Sequence, residues 1–242
     1  MPLTFVTAFM NLFESREGLR SPDIYISQFR MVALSGIPII LFISSSYRDH
    51  YERICGDLEN VRIEYIELYE FETYTDIESI NLKLPPERNH VKDTRNYLIL
   101  MNTKLECIYR AMQFTDATHY AWIDFGIQHV LSPNINSRLQ TLAMATFVDT
   151  CLVMPGCWQK VPVFFDKIHW RFCGGFFLGD RDSLTSFYKA SKENWKTILV
   201  SYCLTWEVNY WAFLEEMKLI QPIWYLGDHN DTILNVPEIV YI

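Results

Sequence analysis

The chain has 242 residues, 50% hydrophobic and 21% charged, which suits one large domain with a substantial core. Its net charge of −8 argues against a binder of nucleic-acid backbones, which needs clustered Lys and Arg. The acidic run Glu64, Glu67, Glu70, Glu72, Asp76 and Glu78 reads as a solvated face, the usual place for like charges.

Leu3 to Phe9 reads as a first strand, and Ile24 to Leu34 as a helix that stops at Gly36. Ile37 to Ile43 is a second, buried strand with Pro38 near its start, where proline is tolerated. Tyr47 to Leu58 reads as helix and Val61 to Ile66 as a third strand. This alternation predicts a parallel α/β sheet. Thr94 to Met112 contains neither Gly nor Pro and predicts one long helix, with Asp93 as its cap. The apolar run from His119 then ends on Asp124, ahead of Phe125-Gly126. Ser137 to Thr146 reads as helix, and Thr150–Pro155 and Phe172–Leu178 as strands. Two helices, Asp182 to Val200 and Glu207 to Leu219, precede a short last strand, Gln221 to Leu226. No repeat or long linker interrupts the chain, so residues 1–242 are expected to form a single domain.

Six cysteines, at 55, 107, 151, 157, 173 and 203, contain no Cys-x-x-Cys pair, so neither a zinc ribbon nor a thioredoxin motif is supported. A reduced compartment is the simplest reading. Met1 to Phe9 lacks the positive region of a signal peptide, and no apolar run reaches the length of a membrane span. The expected location is the cytoplasm, free or peripheral to a membrane. The glycine fingerprint of dinucleotide sites, the Walker A loop and His-Glu-x-x-His are all missing. Asp124-Phe-Gly matches a kinase tripeptide, but the other kinase motifs are missing too.

Asp124 is the leading candidate for chemistry. A carboxylate closing a buried strand either caps the next turn or binds something, and ligands of open α/β sheets collect at strand carboxyl ends. Mg²⁺ or Mn²⁺ prefers oxygen donors. Asp228-His229, in the polar run after Gly227, could supply the other ligands or be a plain turn. The formal Asp-x-Asp at Asp180 and Asp182 reads instead as a helix start. Gly174-Gly175, placed in an apolar strand, marks either a bulge or a close ligand. Glu207 could be a general base or could complement a helix dipole, with Thr205 as a possible cap. Lys104 could meet a phosphate or be an exposed helix lysine, and Asn102 lies close by in the same helix.

Several blocks recur in a specific order: Phe5-Val-Thr-Ala-Phe9, Ser21-Pro-Asp-Ile-Tyr25, Met101-Asn-Thr-Lys104, Ala121-Trp-Ile-Asp-Phe-Gly-Ile127, Cys173-Gly-Gly-Phe-Phe177, Thr205-Trp-Glu-Val-Asn209 and Trp224-Tyr-Leu-Gly-Asp228. Together they resemble the bacterial HtrL/YibB family, whose members look like glycosyltransferases of the GT-A, nucleotide-diphospho-sugar type. The resemblance spans nearly the whole chain. It implies a single-domain GT-A (Rossmann-like) fold with a mixed, mostly parallel central sheet flanked by helices, a nucleotide-sugar donor linked to UDP or GDP, a glycan or glycoconjugate acceptor, and Mn²⁺ or Mg²⁺. By position, Asp124 would stand for the family's metal-binding acid, and Asp228 or His229 for its C-terminal metal ligand. Gly174 and Gly175 would line the donor sugar. Thr7, Ala8 and Phe9 at the first strand end, with Asn102, Lys104 and Trp122, would hold the donor. Glu207 would be the base of an inverting transfer. The chain departs from the pattern because Trp122 and Ile123 precede Asp124, which leaves one acid where the family type has two. Rival expectations are a catalytically inactive nucleotide-sugar binder and a sugar nucleotidyltransferase.

Overall fold

A computed structural model describes residues 3–12 and 20–242. Met1 and Pro2, the head of the stretch read above for a signal peptide, lie outside the described residues.

The strands are β1 (Leu3–Phe9), β2 (Ile39–Ile43), β3 (Val61–Tyr65), β4 (His119–Ile123), β5 (Leu152–Gly156), β6 (Phe176–Asp180) and β7 (Ile223–Leu226). They form one sheet in the order β3-β2-β1-β4-β6-β5-β7. Every pairing is parallel except those of β6, which runs antiparallel to both β4 and β5. The predicted α/β class therefore holds, with a mixed, mostly parallel sheet in a single domain. The helices are α1 (Pro22–Ala33), α2 (Arg48–Cys55), α3 (Glu72–Thr75), α4 (Arg95–Asn102), α5 (Lys104–Ala111), α6 (Asn136–Met144), α7 (Arg181–Ser201) and α8 (Glu207–Glu216).

Successive strand residues face opposite sides, so the sheet separates two cores. Val6, Ala8 and Trp122 pack with Leu98, Leu105, Leu184 and Trp211 on one side. Phe5, Phe9 and Ile123 pack with Phe29, Tyr51 and Leu139 on the other. The chain winds from β1 through β2 to β3, then returns to place β4 on the opposite flank of β1. The neighbouring carboxyl ends of β1 and β4 are thus a topological switch point, where such sheets bind ligands.

Four local expectations change. The helix expected over Thr94–Met112 is two helices broken at Thr103. Asn102 Nδ2 donates to Leu98 O, and Thr103 Oγ1 donates to Leu100 O. Both side chains compete with the backbone ladder, as polar groups inside helices do. Its cap is Thr94, whose hydroxyl accepts from Tyr97 N, whereas Asp93 accepts from Asn89 N. Gly174 and Gly175 fall in a turn before β6, not within a strand. The acidic run is only partly a solvated face, because Glu72 and Asp76 pair with Lys192 of α7, each at 2.7 Å. The helix-start reading of Asp180 holds: its Oδ1 accepts from Asp182 N and Ser183 N, both at 2.9 Å.

Candidate active site

Asp124 follows the last residue of β4, at the switch point. Its backbone N–H donates to Gly175 O at 2.9 Å, which ties the end of β4 to the turn before β6. Trp122, two residues back on the same strand face, donates from Nε1 to Asp124 Oδ1 at 2.6 Å. Asp124 is 36% exposed, and Oδ2 has no protein partner among the described residues.

The break at Thr103 starts α5 at Lys104, whose side chain is 1% exposed. The exposed-lysine reading is therefore wrong. The ammonium lies 2.9 Å from Asp124 Oδ1 and 2.7 Å from Glu207 Oε1, and it donates to Gly174 O at 2.8 Å. Burial alone would lower the Lys104 pKa, but the two carboxylates outweigh it and raise it. Glu207 opens α8 and its side chain is 7% exposed. Burial pushes its carboxyl above the ordinary range, and the pull of Lys104 only partly offsets this. Two carboxylates share one ammonium, so ionised Asp124 and Glu207 leave the trio one negative charge in excess.

Thr205 is not the cap of α8. Trp206 holds that position with no side-chain bond, and the Thr205 hydroxyl is buried without a partner among the described residues. Asn102 Nδ2 donates to Thr205 O at 2.9 Å and so fastens the end of α4 to the segment leading into Glu207. Asn102 serves as this tie between segments and is not part of the cleft wall. A Cβ on Gly174 would collide with Glu207 Oε1. The glycine is required by the Lys104–Glu207 pair, which fills the space that the sequence reading gave to a donor sugar. Gly175 faces Asp124 Oδ2 and Ile233.

Beside Asp124 opens a cleft of about 220 Å³, walled by Ala8, Phe9, Tyr25, Tyr97, Trp122 and Asp124. Ala8, Phe9 and Trp122, read above as donor-binding, thus line this cleft. Thr7 is fully buried one residue earlier in β1, and its hydroxyl has no partner among the described residues. Tyr25 and Tyr97 were missed, because aromatic residues at helical spacing carry no signal beyond packing.

Asp228 and His229 lie on the loop after β7. Asp228 Oδ1 is 3.5 Å from Cys157 Sγ, and His229 Nδ1 is 4.0 Å from the same sulfur. Asp124 is not part of this group: among the described residues, the cluster of three His, Cys, Asp or Glu side chains close enough to share an ion is Cys157, Cys173 and His229. Cys157 and Cys173 approach to 3.2 Å. The Cys173 hydrogen bond, then His229, hold the Cys157 thiol down at about 6 against the effect of burial. The same bond, with burial, pushes Cys173 far up. Nothing in the sequence pointed to this pair, sixteen positions apart.

The fold resembles several solved structures. Mouse xyloside xylosyltransferase 1, in its apo form, aligns with a TM-score of 0.51 at 10% identity, over 94% of this chain and 86% of that one. The 4-diphosphocytidyl-2C-methyl-D-erythritol synthase of Anaerococcus prevotii DSM 20548 aligns with a TM-score of 0.47 at 10% identity, over 96% and 91%. A glycosyltransferase involved in glycosylation of the major capsid of PBCV-1 aligns with a TM-score of 0.44 at 13% identity, over 94% and 82%. At such identities the likeness is one of fold alone. No protein-family model and no curated protein sequence matches the chain, so HtrL/YibB membership is not confirmed. Among the described residues, no helix is long and apolar enough to cross a membrane.

Proposed function

We propose that the chain is a glycosyltransferase that takes a UDP- or GDP-linked sugar and passes the sugar to a hydroxyl of a glycan or glycoconjugate, with inversion. One observation carries this reading. Asp124, Lys104 and Glu207 are in contact at the carboxyl end of β4, at the switch point, beside an aromatic-walled cleft. The fold shared with a protein named as a xylosyltransferase agrees with it.

The nucleotide occupies the cleft against Phe9, Tyr25 and Tyr97, where flat rings suit a base. The diphosphate lies toward Asp124. Glu207 takes the proton of the acceptor hydroxyl as that oxygen bonds to the anomeric carbon. The bond from that carbon to the diphosphate breaks, and its electron pair leaves with the phosphate. Attack opposite the leaving group inverts the centre. Lys104 orients Glu207 and balances the negative charge it carries until it takes the proton.

The donor atoms fit a hard cation on one side only. Asp124 Oδ2 is open and oxygen suits Mn²⁺ or Mg²⁺, while Oδ1 already accepts from Trp122 and Lys104. Asp124 would hold the ion together with the donor's own phosphate oxygens, and a bound ion would neutralise the departing diphosphate. Asp228 and His229 sit with Cys157 and do not complete that set in this arrangement.

The burial of Glu207 favours a second reading, a nucleotide-sugar binder that does not turn over. The purified chain, supplied with Mn²⁺ and a panel of UDP- and GDP-sugars, should hydrolyse at least one donor slowly without acceptor. Asp124→Ala should abolish that turnover while leaving the circular dichroism spectrum unchanged. Full activity in Asp124→Ala would sink the proposal. Tight donor binding with no turnover in the native chain would select the second reading.

A further inference from the structure

We propose that Cys157, Cys173, His229 and Asp228 form a zinc site that clamps the turn carrying Gly174 and Gly175. The four donors come from three segments held together by backbone hydrogen bonds. Cys157 N and Trp158 N donate to Trp170 O at 3.2 and 2.9 Å, and Cys173 N donates to Pro155 O at 2.8 Å. This short ladder sets the two cysteines facing one another. Gly156 pairs with Leu226 where β5 meets β7, and Gly227 N donates to Gly156 O at 3.0 Å. That pairing delivers Asp228 and His229 to the same place.

The spacing of the donors suits a tetrahedral ion. Cys157 Sγ lies 3.2 Å from Cys173 Sγ, 3.5 Å from Asp228 Oδ1 and 4.0 Å from His229 Nδ1. Asp228 Oδ1 and His229 Nδ1 are 3.2 Å apart. Zinc bonds to sulfur, nitrogen and oxygen at tetrahedral angles imply edges of about 3.4–3.8 Å, and these four distances lie within about half an ångström of that range. Cys173 Sγ and a His229 ring nitrogen also lie within 4.8 Å of one another. Two sulfurs and an imidazole are soft donors that favour zinc over manganese or magnesium. His229 is also fixed from outside, its ring meeting Trp170 edge-on at 4.4 Å between centroids. Four protein ligands leave no open position, which is the mark of a structural site. On binding, each coordinating thiol that is still protonated gives its proton to water.

The consequence reaches the candidate active site through three consecutive residues. Cys173 would hold the ion, Gly174 O accepts from Lys104, and Gly175 O accepts from Asp124 N. The metal would thus fix the carbonyls that position both charged groups. The zinc site does not depend on the sugar-transfer reading, because it lies on different residues and is read without activity.

The test is a Co²⁺ titration of the fully reduced, chelator-stripped chain. One equivalent should produce a thiolate-to-cobalt charge-transfer band and strong tetrahedral visible bands, and one equivalent of Zn²⁺ should bleach both. Cys157→Ser, at a half-buried position, should lose the stoichiometric charge-transfer band while keeping its circular dichroism spectrum. Asp124→Asn should keep the band unchanged. The proposal is overturned if the reduced native chain gives no thiolate band, if Cys157→Ser keeps the full band, or if Asp124→Asn loses it.

Discussion

Lys104 is the residue on which the charged centre depends. It is the shared partner of two carboxylates, and Glu207 is buried with it. Lys104→Met should destabilise the chain by about 3–5 kcal/mol in urea unfolding, since it strips a buried carboxylate of its cation. Adding Glu207→Gln should recover part of that loss, because the orphaned charge is then gone. An unchanged midpoint in the single variant would show that the pair is not coupled to folding. The direction of the Lys104 shift fixes its pH dependence. Its folded pKa is raised, so its contribution to stability is full below the ordinary value of 10.5 and is lost as pH rises through the higher folded value. Glu207 is also raised, above an ordinary value of 4.5, so the folded state holds its proton more tightly and stability falls as pH rises through that window. In the proposed transfer, activity would run the other way, because Glu207 as a base must be ionised. Turnover should climb with pH through a limb above the usual carboxylate range. Glu207→Gln should remove that limb and cost about 10²–10⁴-fold in kcat. A limb that persists in Glu207→Gln would assign it to another group.

Among the elements, α7 shows how one carboxylate can look like a metal ligand and be a cap. Asp180 accepts from Asp182 N and Ser183 N, and through Oδ2 from Cys151 N at 2.7 Å. Burial raises its pKa, but the hydrogen bonds from Ser183, Cys151 and Asp182 outweigh it and hold the carboxyl below its ordinary 3.8. Asp180→Ala should cost about 0.5–2 kcal/mol for the cap and about 1–3 more for the stranded Cys151 N–H. The loss should be full at neutral pH. It should shrink as pH falls below 3.8 through the folded value, where the native carboxyl is itself protonated. Sugar transfer should survive the change, which a kinetic comparison at matched folded fraction would check. Lost metal-dependent turnover would restore the Asp-x-Asp reading. The broken helix at Thr103 teaches the same point from the other side. The absence of Gly and Pro over Thr94–Met112 predicted continuous helix, and it could not reveal that Asn102 and Thr103 would bond back to Leu98 and Leu100.

At the scale of the whole molecule, the sheet order joins distant segments at one edge. Residues near 8, 25, 97 and 122–124 wall the cleft, and 104, 174 and 207 lie beneath Asp124. A ligand that binds only this assembled state should raise the melting temperature. Thermal shifts against free nucleotides and nucleotide sugars, with and without Mn²⁺, should therefore single out one UDP or GDP series. At a ligand concentration of about 100 Kd the gain is about 2.7 kcal/mol. Mn²⁺ should enlarge the shift for diphosphates and leave it unchanged for nucleosides, since in the proposed site the ion would lie between Asp124 and phosphate oxygens. An equal shift for nucleosides would remove the diphosphate from the site.

The sequence by itself determined the α/β class and most strands near their observed bounds, and it singled out Asp124 as the candidate to test. These follow from local rules: apolar runs set strands, and a carboxylate ending one needs a partner. Tertiary structure alone decided that β6 runs antiparallel, because strand direction depends on pairing across the sheet. It alone showed Lys104 to be buried between Asp124 and Glu207, a contact spanning 103 positions between residues 104 and 207. It moved His229 and Asp228 from Asp124 to Cys157, since which loops meet at a sheet edge is a matter of strand order. It also explained Gly174, whose missing side chain leaves room for the Lys104–Glu207 pair, a neighbour that no local pattern names.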